Sequence, residues 1–131
     1  MRANILTPLG PVFSGEVAGI RMPGADGSFE VLNNHAPLVA LLDTGKMVIR
    51  FEEEEELLYA VSGGFTEVKD NQVTVLVEEA IPVSDIDLSA EKVIQENLLS
   101  KMRELKVDSA EHARAEKDLK KAVNKITLAA E

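Results

Sequence analysis

The distribution of glycine and proline constrains this chain more than any other feature. All eight glycines and all five prolines lie before residue 85, and neither type occurs from Asp85 to Glu131. Because both residues interrupt helices and form turns, the first part favours short strands with tight reversals. The second part is rich in Ala, Leu, Lys and Glu and favours helix. The sequence therefore predicts two domains, residues 1–84 and residues 85–131.

The first domain is predicted to consist of short β-strands. Apolar and β-branched residues occur in brief runs between turn signals such as Pro23-Gly24, Asp26-Gly27 and Asp70-Asn71. The runs cover residues 3–6, 12–22, 29–32, 46–51, 57–62, 65–69 and 72–78. Short strands at this close spacing are typical of an antiparallel β-sandwich or barrel.

The second domain is predicted to be an antiparallel hairpin of two helices. Apolar residues recur with the helical period, in the first helix at Ile94, Leu98, Met102 and Leu105, and in the second at Ala115, Leu119, Ala122 or Val123, and Ile126. Asp87 is the expected N-cap of the first helix, and Asp108 with Glu111 the expected capping box of the second. The alanines Ala110, Ala113 and Ala122 would let the helices approach closely with few methylenes between them. We therefore expect a lightly anchored element, as a conformational switch requires.

Composition excludes several classes of function. The net charge of −9 disfavours nucleic-acid binding, because the field of the protein would repel phosphates. The absence of cysteine excludes disulfides, thiolate zinc sites and a cysteine nucleophile. The longest apolar runs are far shorter than a membrane helix, and the amino terminus lacks the apolar core of a signal peptide. We expect no direct membrane insertion, so that any membrane association occurs through a partner.

Three sequence features could suggest chemistry, and each has a simpler structural explanation. His35 has no recognisable nucleophile or orienting partner, and hydrogen bonding to its own loop is the favoured role. Gly63-Gly64 belongs to no phosphate-binding motif and indicates a bulge or a tight bend where two backbones approach. The run Glu52–Glu56 indicates a solvated hairpin tip, because consecutive strand residues alternate sides and would not converge on a cation. An enzyme is therefore the least favoured class, and we expect no catalytic residue and no metal site.

Lysines cluster towards the end of the second helix, at Lys117, Lys120, Lys121 and Lys125. Cations there complement the helix macrodipole, which is one explanation. However, Lys117 with Lys121, and Lys121 with Lys125, are like-charge pairs at i,i+4 spacing, which destabilise a helix. Contact with an acidic partner is the other explanation, and both stay open.

Two stretches carry a family resemblance. The first is Asn33-Asn34-His35-Ala36-Pro37-Leu38, which runs on to Gly45, and the second is Ser62-Gly63-Gly64-Phe65-Thr66-Glu67-Val68. Together with Thr7-Pro8, Gly10-Pro11-Val12 and the segment 71–76, they occur in the order seen in the epsilon subunits of rotary F-type ATP synthases. The chain resembles that family over essentially its whole length.

The resemblance implies a fold, partners and a function. It implies an amino-terminal β-sandwich that docks on the gamma subunit and on the c-ring of the membrane sector. It also implies a carboxy-terminal hairpin that swings between a folded form and an extended form, which inhibits ATP hydrolysis beside the catalytic beta subunit. Lys117, Lys120, Lys121 and Lys125 are then the candidates for the contact with the beta subunit.

Some members of the family bind ATP in the folded hairpin through an Ile-Asp-x-x-Arg-Ala motif and arginines of the second helix. This chain has Ile86 and Asp87, but Ala90 and Glu91 follow where arginine and alanine stand in the motif. Lys121 and Lys125 occupy the positions of the arginines. The motif's arginine has a planar guanidinium that can bind phosphate through two hydrogen bonds, and Ala90 lacks it. This loss and the added carboxylate of Glu91 should weaken polyphosphate binding. We expect no cofactor, with only weak ATP binding if any.

The loop that meets the c-ring in the family carries a Gly-x-x-Pro-Gly-His pattern, which reads Glu30-Val31-Leu32-Asn33-Asn34-His35 here. Asparagine tolerates positive φ nearly as glycine does, so the turn can persist. Glu30, Asn33, Asn34 and His35 are the candidate contacts with the ring.

The resulting hypothesis is a non-catalytic central-stalk subunit of a proton- or sodium-translocating F-type ATP synthase, which couples the rotor to the catalytic head. It would be peripheral at the cytoplasmic face of a bacterial plasma membrane or the stromal face of a thylakoid. The alternative is a freestanding β-sandwich that binds a small molecule.

Overall fold

The computed structural model describes all residues, 1–131, and the chain divides into two compact units, Met1–Pro82 and Val83–Glu131. The first unit contains eight strands: β1 (Arg2–Thr7), β2 (Gly10–Glu16), β3 (Gly19–Gly24), β4 (Gly27–Leu32), β5 (Leu38–Leu42), β6 (Gly45–Arg50), β7 (Glu56–Lys69) and β8 (Gln72–Pro82). The second unit begins with a 3₁₀ turn, Val83–Asp85, and contains helices α1 (Leu88–Glu104) and α2 (Ala110–Ala129). The predicted fold class, a β-sandwich followed by a two-helix hairpin, is confirmed.

The long strand β7 organises the first unit. Its first half pairs with β6 as far as Val61, and its second half pairs with β5 from Gly64 onward. Both β5 and β6 also pair with β3, so the sheet folds over on itself and encloses a core. That core consists of inward-facing aliphatic side chains, among them Ile5, Ile20, Met22, Ile49 and Val75. Alternation along each strand therefore separates the core from the outer face.

Strand boundaries differ from the sequence prediction at three places. The run 12–22 forms two strands, β2 and β3, because the chain turns at Val17–Ala18. The runs 57–62 and 65–69 form the single strand β7, since the Gly63-Gly64 step does not end the pairing with β8. Strand β5 was missed. The strand pairs are antiparallel with one exception: β1 runs parallel to β8.

The prediction of a close backbone approach at Gly63-Gly64 is confirmed. A Cβ at Gly64 would collide with the carbonyl oxygen of Leu76 and would lie 2.8 Å from the Cα of Val77. Gly63 has a φ of 31°. The register of β7 against β8 is the same on both sides of this step, so the feature is not a bulge.

The helices of the second unit begin with side-chain caps. The Asp87 carboxylate accepts from the amide of Ala90 at 3.1 Å, as predicted. The predicted Asp108 cap is wrong. The hydroxyl of Ser109 accepts from the amide of His112 at 3.1 Å and donates to the carbonyl of Lys106 at 2.7 Å, so α2 begins one residue later. That shift also removes the capping-box spacing to Glu111.

The less exposed stripe of α1 runs through Leu88, Glu91, Gln95, Leu98, Met102 and Leu105. Ile94 is 44% exposed and lies outside this stripe, so its predicted place on the apolar face is wrong. On α2, Ala115 and Ala122 are buried while Leu119 and Ile126 are half-buried, as predicted. Ala110 and Ala113 are exposed and do not serve the close approach expected of them. A carboxylate, Glu91, thus occupies a position of the α1 stripe where an apolar residue is usual.

Candidate docking surfaces

The loop Asn33–Pro37 joins β4 to β5 and is exposed throughout. Asn34 adopts a φ of 61°, as expected for an asparagine in place of glycine. The amide of Asn34 donates to Oδ1 of Asn71 at 2.8 Å, which ties this loop to the turn between β7 and β8. The hydrogen bond restrains the loop at this point, and residues 33–37 are exposed to solvent.

His35 has a structural role in this loop. Its amide donates to the carbonyl of Leu32 at 3.2 Å. Its Nδ1 lies 2.7 Å from the carbonyl oxygen of Ala36, so the tautomer with a proton on Nδ1 donates to that carbonyl. The predicted hydrogen bonding of His35 to its own loop is confirmed.

Glu30 lies apart from the exposed loop residues, in a cleft beside the turn between β6 and β7. Its carboxylate is 2.6 Å from the guanidinium of Arg50, which also lies 3.8 Å from the carboxylate of Glu56. The five residues Glu52–Glu56 are exposed, and Glu54 has a φ of 66°, so the predicted solvated tip is confirmed. Because Arg50 engages Glu30, this carboxylate is less available to an external cation than the tip is.

A row of apolar side chains crosses the outer face of the sheet. Leu41 on β5 pairs with Phe65 on β7, Phe65 pairs with Leu76 on β8, and Leu76 pairs with Leu6 on β1. Paired residues point to the same side of a sheet, so these four side chains form one continuous row, named here the apolar row. Leu41 is 70% exposed and Phe65 is 42% exposed. Such a contiguous exposed apolar surface is typical of a protein–protein interface.

The apolar row adjoins an open depression of about 530 Å³, whose lining includes Leu6, Pro8, Phe65, Leu76 and Glu78. The depression has apolar walls and one carboxylate at its edge. A groove of this kind can receive the apolar side chains of a partner.

The apolar row was not predicted from the sequence. The available signal was the segment Leu38-Val39-Ala40-Leu41-Leu42, in which both faces of a strand are apolar. One face of β5 enters the core at Leu42, and the other exposes Val39 and Leu41, each at 70%. A strand that is apolar on both sides indicates either two buried faces or one docking face.

The four candidate nucleotide-binding residues all lie in the second unit. Ile86 is half-buried, and the carboxylate of Asp87 is already used as the cap of α1. The ammonium group of Lys125 lies 3.3 Å from the carboxylate of Glu91, and Lys121 also interacts within the molecule. A polyphosphate bound here would compete with these internal interactions, which adds to the sequence argument against tight ATP binding.

The lysine cluster does not form one uniform surface. Lys117 and Lys120 are exposed, whereas Lys121 and Lys125 are half-buried. All four take part in interactions within the molecule. Contact with an acidic partner therefore stays a prediction, carried mainly by the two exposed members.

Two general properties of the structure bear on its chemistry. No group of three or more His, Asp and Glu side chains is arranged to hold a metal ion. Neither α1 nor α2 combines the length and the apolar character that crossing a lipid bilayer requires.

Comparison with known proteins gives a consistent result. The family described as ATP synthase, Delta/Epsilon chain, beta-sandwich domain matches residues 1–83. The ATP synthase epsilon chain of Halalkalibacterium halodurans is 34% identical over 129 residues, which cover 98% of this chain and 96% of that relative.

Solved structures show the same likeness over nearly the whole chain. A chain of the Euglena gracilis mitochondrial ATP synthase, from an OSCP/F1/c-ring structure, matches with a TM-score of 0.79 and 25% identity, covering 98% of this chain and 79% of that one. A chain from the central stalk and c-ring of the Tetrahymena thermophila mitochondrial ATP synthase matches with a TM-score of 0.70 and 17% identity, covering 98% and 96%. At 17% identity the second likeness shows the fold alone.

Proposed function

Because this chain belongs to the epsilon-subunit family of the F-type ATP synthases, we propose that it is a non-catalytic central-stalk subunit. In this role its β-sandwich docks on the gamma subunit and the c-ring, and its hairpin inhibits ATP hydrolysis. The enzyme would translocate protons or sodium ions at a bacterial plasma membrane or a thylakoid, with this chain peripheral on the cytoplasmic or stromal face.

The apolar row is the observation that carries the docking proposal. Its members are aliphatic and aromatic, and Leu41 and Phe65 remain substantially exposed in the isolated chain. Covering them with a partner removes apolar surface from water, which is the main favourable term in association. The row is therefore assigned to the gamma subunit.

The exposed loop Asn33–Pro37 is assigned to the c-ring. Its backbone is held by the bonds from Asn34 to Asn71 and from His35 to Leu32 and Ala36. A rigid loop loses little conformational entropy on docking, which favours a contact that transmits torque. Asn33, Asn34 and His35 are its contact residues, and Glu30 of β4 is held by its ion pair with Arg50 of β6.

Inhibition is assigned to the hairpin. In the extended form Lys117 and Lys120 would meet acidic groups of the catalytic beta subunit. Their exposure leaves them accessible to such a partner, and the attraction would be partly screened at physiological salt.

Binding to purified gamma, measured by size-exclusion chromatography and titration calorimetry, tests the docking proposal. Phe65→Ser should weaken binding at least about tenfold, as expected for an aromatic residue central to an interface. Leu57→Ser is a matched control, because Leu57 is also 42% exposed, also lies on β7, and is outside the apolar row.

Equal weakening by the two variants would refute the assignment of the apolar row. If the wild-type chain elutes as a monomer indifferent to gamma, the central-stalk role fails. The alternative of a freestanding module for a small molecule would then be favoured.

A further inference from the structure

Glu91 is the only charged residue of the chain that is buried, with 8% of its surface exposed. It lies in the first turns of α1, and its carboxylate is 3.3 Å from the ammonium group of Lys125 on α2. The two side chains are 11% and 19% exposed, respectively. Burial of this degree distinguishes the pair from a surface ion pair, which would contribute little.

The position of this ion pair in the hairpin is informative. The two helices are joined at residues 105–109, between the end of α1 and the start of α2. Glu91 and Lys125 lie at the opposite, open end, near the start of α1 and near the end of α2. A hairpin separates most easily at its open end, so an interaction there restrains separation most effectively.

The helix dipoles reinforce the arrangement. A carboxylate is favoured near the amino terminus of a helix and an ammonium group near the carboxyl terminus. Glu91 lies in the first turn of α1 and is placed favourably in its own helix, whereas the last turn of α2 contains no basic residue, so Lys125 contributes through its partner alone. The two dipole ends that meet at the open end are themselves of opposite sign.

The rest of the interface between α1 and α2 provides modest apolar contact. The buried residues of α2 are Ala115, Ala122 and Leu128, and the two alanines have a single methyl group each, so they contribute few dispersion contacts. Leu128 is the one large apolar side chain buried on this helix, and the ion pair lies with it towards the open end.

We propose that the Glu91–Lys125 ion pair is a built-in latch, which holds α1 and α2 together at the open end of the hairpin without any bound ligand. Opening the hairpin separates the pair and returns both charges to water. Neutralising Glu91 removes the carboxylate that faces the half-buried ammonium group of Lys125 across the interface, which favours the open form. Replacing both members with apolar residues of similar length removes the charges together and should keep the hairpin closed.

The distance between spin labels in the isolated full-length chain tests this latch. The chain has no cysteine, so Ser89→Cys and Thr127→Cys provide the only labelling sites, both exposed and both near the open end. The otherwise unchanged chain should give one short distance. Glu91→Gln should increase the long-distance population at least about tenfold, and the double variant Glu91→Met with Lys125→Met should suppress it again.

Glu96→Gln is the matched control, because Glu96 is an exposed glutamate of the same helix. The latch is overturned if Glu91→Gln resembles Glu96→Gln. It is equally overturned if the double methionine variant is as open as Glu91→Gln, since the loss of packing would then explain both.

A second experiment connects the latch to inhibition, and this step rests on the proposed function. In the assembled ATP synthase, Glu91→Gln should lower ATP hydrolysis relative to the double methionine variant, because it releases the hairpin more often. The distance measurement requires neither gamma nor the catalytic subunits. Opening by Glu91→Gln without any change in hydrolysis would support the latch while contradicting the inhibitory role.

Discussion

Replacing Gly64 with alanine should destabilise the β-sandwich strongly. The added Cβ would collide with the carbonyl oxygen of Leu76 and would lie 2.8 Å from the Cα of Val77 and 2.9 Å from the carbonyl carbon of Leu76. All three are backbone atoms of β8, which cannot rotate away as a side chain would. The two strands must therefore separate locally.

The size of the effect follows from two terms. Forcing an extra methyl group into a packed position costs about 1–3 kcal/mol. Separating β7 from β8 at this step weakens one or two ladder hydrogen bonds, at about 1 kcal/mol each. The sum is about 2–5 kcal/mol, which lowers the melting temperature by roughly 8–40 °C for a domain of this size.

Thermal and urea denaturation followed by circular dichroism would measure this loss. Gly15→Ala is the control, because a Cβ at Gly15 would meet only the ring of Phe13, at 3.5 Å, in ordinary contact. That variant should remain within about 0.5 kcal/mol of the wild type. If Gly64→Ala were equally mild, β8 would have to yield easily, and the account of the β7–β8 approach would be wrong.

Three further predictions concern the hairpin and its partners. A chain ending at Ser84 should melt cooperatively and still bind gamma in the size-exclusion assay; failure of either would make the hairpin integral to the fold or to docking. Isothermal titration should detect no micromolar ATP binding to the wild type, whereas Ala90→Arg, which leaves the Glu91–Lys125 pair intact, should increase affinity by restoring a guanidinium group that can bind phosphate through two hydrogen bonds. Lys117→Gln with Lys120→Gln should raise ATP hydrolysis by the assembled enzyme and leave gamma binding unchanged; unaltered hydrolysis at both low and moderate salt would contradict the contact of these lysines with the beta subunit.

Local signals in the sequence determined the larger divisions of this protein. Glycine and proline do not occur from residue 85 onward, and this predicted where the strands give way to helices. Asp87 was correctly predicted to cap α1. The conformation of Asn34 and the close approach at Gly64 were predicted correctly. Each depends on a property of one residue: asparagine tolerates a positive φ, and glycine has no Cβ to collide with a neighbouring backbone. The family resemblance depended on such positions as well, since His35 and Gly64 lie in its two signature stretches.

Tertiary structure alone decided which side chains meet. The apolar row joins residues of β5, β7, β8 and β1, and its existence depends on strand order and register. The parallel pairing of β1 with β8 brings Leu6 beside Leu76, although the two are far apart in the chain. Periodicity measures neighbours along one element and contains no information on register between elements.

The latch illustrates the same limit in the hairpin. From the sequence, Glu91 was only an unfavourable substitution in a nucleotide motif, and Lys125 was one of four clustered lysines. The helical period alone assigned Ile94 to the buried face, because a one-residue rotation changes which neighbours lie inside. Packing of α1 against α2 selected the stripe that contains Glu91 and placed its carboxylate 3.3 Å from Lys125. The sequence thus determined that two helices form. The rotation of each helix about its own axis depends on the contacts between the helices, and that rotation brings the Glu91 carboxylate to Lys125.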